Sequence, residues 1–173
     1  MIDMSTLSLI VHNVRSAHNV GSILRTADGL GIDHVYLTGY SPYPYTDTDD
    51  RLPHEARKVH AAIHKSALGA EQTTSWSHDK EIEGLIQHLK SLGTTIVTIE
   101  QTPESIELQD FLATYRPHNT VLIVGNEVTG IDDTIVKMAD MSVEIKMYGR
   151  KESFNVAIAA ALALYQFKQK LLS

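Results

Sequence analysis

The chain is 173 residues long, 43% hydrophobic and 21% charged, with a net charge of −6 and no cysteine. That length supports one domain with a proper core, read here as residues 1–173, and the composition is ordinary for a globular protein. Disulfides and thiolate metal sites are excluded, indiscriminate nucleic-acid binding is disfavoured by the acidic balance, and the absence of a signal-peptide pattern or of a membrane-length apolar run makes a cytoplasmic protein the expectation.

In chain order, the apolar run Leu7–Val11 predicts a strand. Val20, Ile23, Leu24, Ala27 and Leu30 recur at helical spacing and predict a helix over Val20–Leu30. His34–Leu37 reads as a strand, His54–Ser66 as a helix, Thr73–Trp76 as a strand and Lys80–Ser91 as a helix. Thr95–Ile99 and Thr120–Val124 follow as strands, then a helix over Asp133–Ala139, a strand over Val143–Met147 and a long helix over Ser153–Leu171. Strands alternating with helices need crossover connections, so the fold class is α/β, a mostly parallel sheet with helices on both faces. Ligands of such sheets bind beyond the carboxyl ends of the strands. That draws attention to the loops Asn13–Asn19, Glu100–Pro103, Gly125–Ile131 and Tyr148–Glu152.

Two helices are unusual. In the first, Arg25 stands off the apolar stripe one turn after Gly21, and Asn19 falls just before the helix. A helix N-terminus already carries partial positive charge, so the arginine is not there to settle the dipole. The last helix, within "SFNVAIAAALALYQF", opens on a candidate cap at Ser153 and stays apolar nearly all round. A surface helix keeps one polar face, so this one is expected to be covered on two sides, either inside the domain or at a subunit interface.

The segment "GNEVTGID" after the apolar strand has the Gly125–Gly130 spacing of a phosphate loop, but Ile131 and Asp132 occupy the lysine and hydroxyl positions. Glu127 adds a negative charge where a phosphate cradle needs N–H groups and a lysine. The loop therefore suits a ligand without phosphate, or serves backbone geometry alone. A local basic excess lies in "RLPHEARKVHAAIHK", where Arg51, Arg57, Lys58 and Lys65 face one acid, Glu55. It is a candidate contact for a nucleic-acid phosphate backbone, or else a solvated helix face. His60 and His64 have the i, i+4 spacing of a metal pair, but no third ligand is evident and no metal is expected.

Together these segments resemble the SpoU branch of the SPOUT RNA methyltransferases. The resemblance rests on Asn19-x-Gly21-x-x-x-Arg25-x-Ala27, on Gly125-Asn126-Glu127-x-x-Gly130, and on Ile145-x-Met147-x-Gly149 leading to Ser153-Phe154-Asn155-Val156, with "HKSALGAE" between them. It implies a deep trefoil knot in the C-terminal part, an exception no propensity argument produces. It also implies bound S-adenosylmethionine, a homodimer through the C-terminal helix, and methyl transfer to a ribose 2′-hydroxyl of tRNA or rRNA. The extra RNA-binding domain of rRNA-directed relatives has no counterpart before the first strand near residue 7, which favours tRNA. By resemblance, Arg25, Asn19, Glu127, Ser153 and Asn155 are the catalytic residues, and Ile99, Gly125, Gly130, Ile145, Met147 and Phe154 hold the cofactor. Arg15, Arg57, Lys58 and Lys65 are the expected RNA contacts. An arginine is an awkward base because its pKa is above about 12, so the expected role of Arg25 is to hold phosphate and stabilise a developing alkoxide. The alternative is an RNA-binding module with the same knotted fold and no activity. Lys146, Phe154, Ala157 and Thr129 depart from the residues common in the family.

Overall fold

Strand β1 (Leu7–His12) buries all six of its residues. A strand covered on both faces belongs at the centre of a parallel sheet, and β1 lies between β2 (His34–Thr38) and β6 (Thr120–Val124). Leu9 pairs in register with Val35 and Leu122, and Val11 with Leu37 and Val124. The sheet continues through β3 (Trp76–Asp79) on one side. On the other it continues through β4 (Thr95–Ile99), β7 (Met141–Glu144) and the short β5 (Ile106–Glu107). The order is β3-β2-β1-β6-β4-β7-β5, and every pairing is parallel. This computed structural model describes residues 5–172.

Alternate strand residues point to opposite faces and feed two cores. Leu7, Leu9, Val11, Val97 and Leu122 pack under α1 (Ala17–Leu30), α2 (Pro53–Ala67), α5 (Leu108–Thr114) and α7 (Val156–Leu172). Ile10, Ile96, Val121 and Ile123 pack under α4 (Ile82–Ser91) and α6 (Asp133–Met138). The expected parallel sheet with helices on both faces is therefore present. The chain runs outward from β1 to β3 and then crosses to the other half of the sheet. Such a reversal opens a crevice beyond the carboxyl ends of the strands.

Several boundaries differ from the sequence reading. Helix α1 starts three residues earlier, because the Ser16 hydroxyl caps it by accepting the Asn19 N–H at 3.3 Å. Asn19 is thus buried inside the helix rather than ahead of it. Gly21 serves packing: a Cβ there would collide with Ser66 Oγ and the Ile63 carbonyl oxygen of α2. The expected strand at Thr73–Trp76 moves to β3 because Ala70–Thr73 forms a short helix, α3. The Thr73 and Thr74 hydroxyls tie α3 to α1 by donating to Asp28 and to the Leu24 carbonyl oxygen. Neither β5 nor α5 is predicted. Strand β7 ends at Glu144, so residues 145–155 form a loop. Helix α7 is capped by Asn155, whose Oδ1 accepts the Ala157 N–H at 2.9 Å, and not by Ser153. Its buried face carries Ala157, Ala160, Leu164 and Phe167, while Ile158, Leu162 and Tyr165 are exposed on another side. Among the described residues no helix is long and apolar enough to cross a membrane.

Candidate functional site

A cavity of about 270 Å³ opens at the carboxyl ends of β4, β6 and β7. Ile99, Gly125, Gly130, Ile145 and Phe154 of the expected cofactor set line it, with Glu127 and Ser153. Met147 lies on the same loop but not in the cavity wall. The lining includes Glu100, Glu127 and Glu144 and, among the described residues, no lysine or arginine.

Glu100 closes one side. Its Oε2 accepts the Ile131 N–H at 2.8 Å and its Oε1 accepts the Gln101 N–H at 3.0 Å. Gly130 has a φ of 70°, and a Cβ there would run into the Glu100 carboxylate. The Gln101 amide donates to the Glu152 carbonyl oxygen at 3.0 Å, tying the β4 loop to the loop before α7. Motif spacing singles out neither Glu100 nor Gln101, since their partners lie 31 and 51 positions away. Asn126 holds the third loop: its Oδ1 accepts the N–H groups of Val128 and Thr129, an Asx turn legible in "GNEVTG".

Three of the expected catalytic residues form one hydrogen-bonded chain. Asn19 Nδ2 donates to Glu127 Oε1 at 2.9 Å, and Asn155 Nδ2 donates to Asn19 Oδ1 at 3.1 Å. Glu127 also accepts the backbone N–H groups of Arg15 at 2.9 Å and Ser16 at 3.1 Å, at the start of α1. Burial pushes the Glu127 carboxyl up, but these donors outweigh it and hold the group below the usual carboxylate range. Ser153 stands exposed at the cavity edge, and its hydroxyl has no partner among the described residues.

Arg25 does not join this chain. It lies six residues beyond Asn19, about 9 Å further along the axis of α1, exposed and without a hydrogen bond or ion pair among the described residues. Gly21, one turn before it, faces α2, so Arg25 rises from the side of α1 turned toward that helix. Arg57, Lys58 and Lys65 are exposed on α2. Arg51 leaves the basic patch: it is paired with Asp49, bonded to the carbonyl oxygens of Tyr43 and Pro44, and lies 3.5 Å over the Tyr43 ring. His64 has a carboxylate neighbour after all, with Nδ1 2.6 Å from the buried Glu71. Among the described residues no cluster of three metal-ligating side chains forms.

Residues 6–165 match the SpoU rRNA Methylase family. The tRNA (guanosine(18)-2′-O)-methyltransferase of Aquifex aeolicus is 28% identical over 95% of this chain and 69% of its own length. The 23S rRNA (guanosine-2′-O-)-methyltransferase RlmB of Nitrosomonas europaea is 30% identical over 94% of this chain and 56% of its own length. Among solved structures, the AdoMet-bound rRNA methyltransferase of Sinorhizobium meliloti superposes with a TM-score of 0.80 at 23% identity, covering 99% of this chain and 59% of that one. The chain spans between 56 and 69% of the length of these two curated relatives. The match runs through all three loops of the cavity and the chain of Asn19, Glu127 and Asn155, and the protein belongs to the SpoU rRNA Methylase family.

Proposed function

We propose that this protein is an S-adenosylmethionine-dependent methyltransferase acting on a ribose 2′-hydroxyl of RNA, with tRNA favoured over rRNA. The observation that carries this reading is the chain Glu127–Asn19–Asn155 beside an acidic, cation-free cavity. Such a lining repels a phosphate and suits a ligand bearing a cationic sulfonium and a purine. The apolar walls at Ile99, Ile145, Phe154 and Val156 fit the purine, and the carboxylates fit the positive charge. S-adenosylmethionine supplies an electrophilic methyl group.

The chain's own residues supply position and electrostatics. Glu127, ionised and held by two backbone N–H groups, fixes the loop against α1. Asn19 transmits that position to Asn155, and Asn155 sets the start of α7. Ser153 offers a free hydroxyl to the substrate. Arg25 holds an RNA phosphate and stabilises the developing alkoxide while the ribose proton passes to solvent water, the methyl group leaving the sulfonium behind as a neutral thioether. Arg15, Arg57, Lys58 and Lys65 take further phosphates.

The homodimer through α7 is part of the proposal, supported by the exposed Ile158, Leu162 and Tyr165. So is the deep trefoil knot, supported by the way the loops after β4, β6 and β7 close on one another through Glu100 and Gln101. A cytoplasmic location agrees with substrates of this class. The test is methyl transfer from labelled S-adenosylmethionine to unmodified RNA, with nucleosides identified by mass spectrometry. The expected product is a 2′-O-methylnucleoside in tRNA. No cofactor binding by calorimetry, or a label on the base, overturns the reading.

A further inference from the structure

Tyr40, just beyond β2, is 60% exposed yet fixed at both ends. Its backbone N–H donates to Asn13 Oδ1 at 3.2 Å, and its hydroxyl accepts from Asn126 Nδ2 at 2.8 Å. The following Ser41 is buried; its hydroxyl donates to the Val11 carbonyl oxygen and accepts the Val14 N–H. A tyrosine joins an apolar ring to a polar hydroxyl, and a buried one satisfies both. Tyr43 has its ring covered, stacked on His78 at 3.9 Å and lying under the Arg51 guanidinium. No ring or cation covers Tyr40 among the described residues. The fold has a use for its hydroxyl and none for its face.

Tyr40 lines an open hollow of about 560 Å³ with Arg15, Asn126, Val128 and Thr129. Val128 is 79% exposed, and the Arg15 guanidinium has no partner among the described residues. Asn126, Val128 and Thr129 also line the cofactor cavity, so the loop carrying Glu127 has the cavity on one side and the hollow on the other. A rigid, uncovered ring, an apolar neighbour and a free arginine are the parts that hold an unpaired base and its phosphate.

We infer that this hollow is a nucleobase subsite. Tyr40 stacks on an unpaired base at or beside the methylated nucleotide, and Arg15 takes the adjoining phosphate. The substrate is thereby single-stranded at the target, a loop or an end, because a base inside a duplex has no free face to offer. This inference rests on the methyltransferase reading above and adds the strandedness of its substrate.

The test uses the full chain, a single-stranded RNA dodecamer bearing one 2-aminopurine, and the transfer assay on tRNA. Wild type is expected to quench the probe. Tyr40→Ala is expected to weaken RNA binding roughly tenfold and lose the quench. Its loss in transfer falls on KM for RNA rather than on kcat, with S-adenosylmethionine affinity retained. Tyr40→Phe keeps the ring, loses only the bond to Asn126, and restores binding. The subsite is overturned if wild type fails to quench, if Tyr40→Ala binds like wild type, or if a fully paired probe binds equally well. A defect in Tyr40→Phe as large as that of Tyr40→Ala overturns it too, assigning Tyr40 to loop anchoring. The parent reading fails differently: wild type then transfers no methyl group to any RNA, while the difference in probe binding between wild type and Tyr40→Ala persists.

Discussion

Arg25 is exposed and unpaired among the described residues, so truncating it opens no core and breaks no ion pair. Even a surface pair, had there been one, would contribute only about 0–1 kcal/mol. Arg25→Ala is therefore expected to fold and to bind S-adenosylmethionine as wild type does. Methyl transfer should fall by roughly two orders of magnitude or more, as when a transition-state donor is removed. Arg25→Lys should stay largely inactive, since lysine keeps the charge and loses the planar fork. Near-normal turnover of the alanine variant on its RNA substrate would remove Arg25 from the mechanism. The motifs make Asn19, Glu127 and Asn155 legible as candidates, each a short polar or acidic residue beside a turn or helix start. That they bond to one another is not legible, because the partners lie 108 and 136 positions apart. Glu100 is legible only as the start of a loop at a strand end; its bond to Ile131, 31 positions on, has no local signature.

Elements divide along the same line. Strands β1, β2, β4 and β6 are legible because their apolar runs are dense and bounded by polar turns, as buried parallel strands require. The shift of β3 has a physical cause, since the threonines that favour a strand are used to tie α3 to α1. β7 also defeats the pattern: Ile145 and Met147 prolong the apolar run past its last paired residue, Glu144. On α2 the sequence overstates the basic patch, because Arg51 precedes the helix and is taken by Asp49 and Tyr43. The three remaining cations are exposed, and replacing Arg57, Lys58 and Lys65 with glutamine should weaken RNA binding. The slope of log affinity against log salt should flatten by roughly 0.7–0.9 for each phosphate no longer neutralised. Cofactor affinity should be unchanged, because none of the three lines the cavity. An unchanged salt slope would make the patch an ordinary solvated face.

The whole molecule leaves one side of α7 open. Ile158, Leu162 and Tyr165, spaced four and three apart, form a single exposed stripe. If a second copy covers it, Leu162→Glu buries an unpaired charge and should give monomer or aggregate; a fully active dimer in sedimentation would exclude this face. Acid should destabilise the fold through its histidines. Burial is the leading cause that lowers His12, His34 and His78 below their usual 6.5. The unfolded chain then binds more protons near and below that value, so their contribution is full above about pH 6.5 and is lost as the pH falls through the lowered folded values. Tm should hold level from pH 7.5 to about 6.5 and decline from there to pH 5.5, and a flat or rising profile below pH 6.5 would refute this. The position of β1 also governs how the protein comes off the ribosome. Val11 emerges early, but its neighbour Val124 follows only after most of the remaining chain has been made. At about 5–20 residues per second, that edge of β1 stays bare for roughly 6–23 s. Through that interval the nascent chain presents an apolar strand with unpaired N–H and C=O groups, a template for association with other chains. Helix α1 can shield one face of it in time, but only translation of β6 closes the edge.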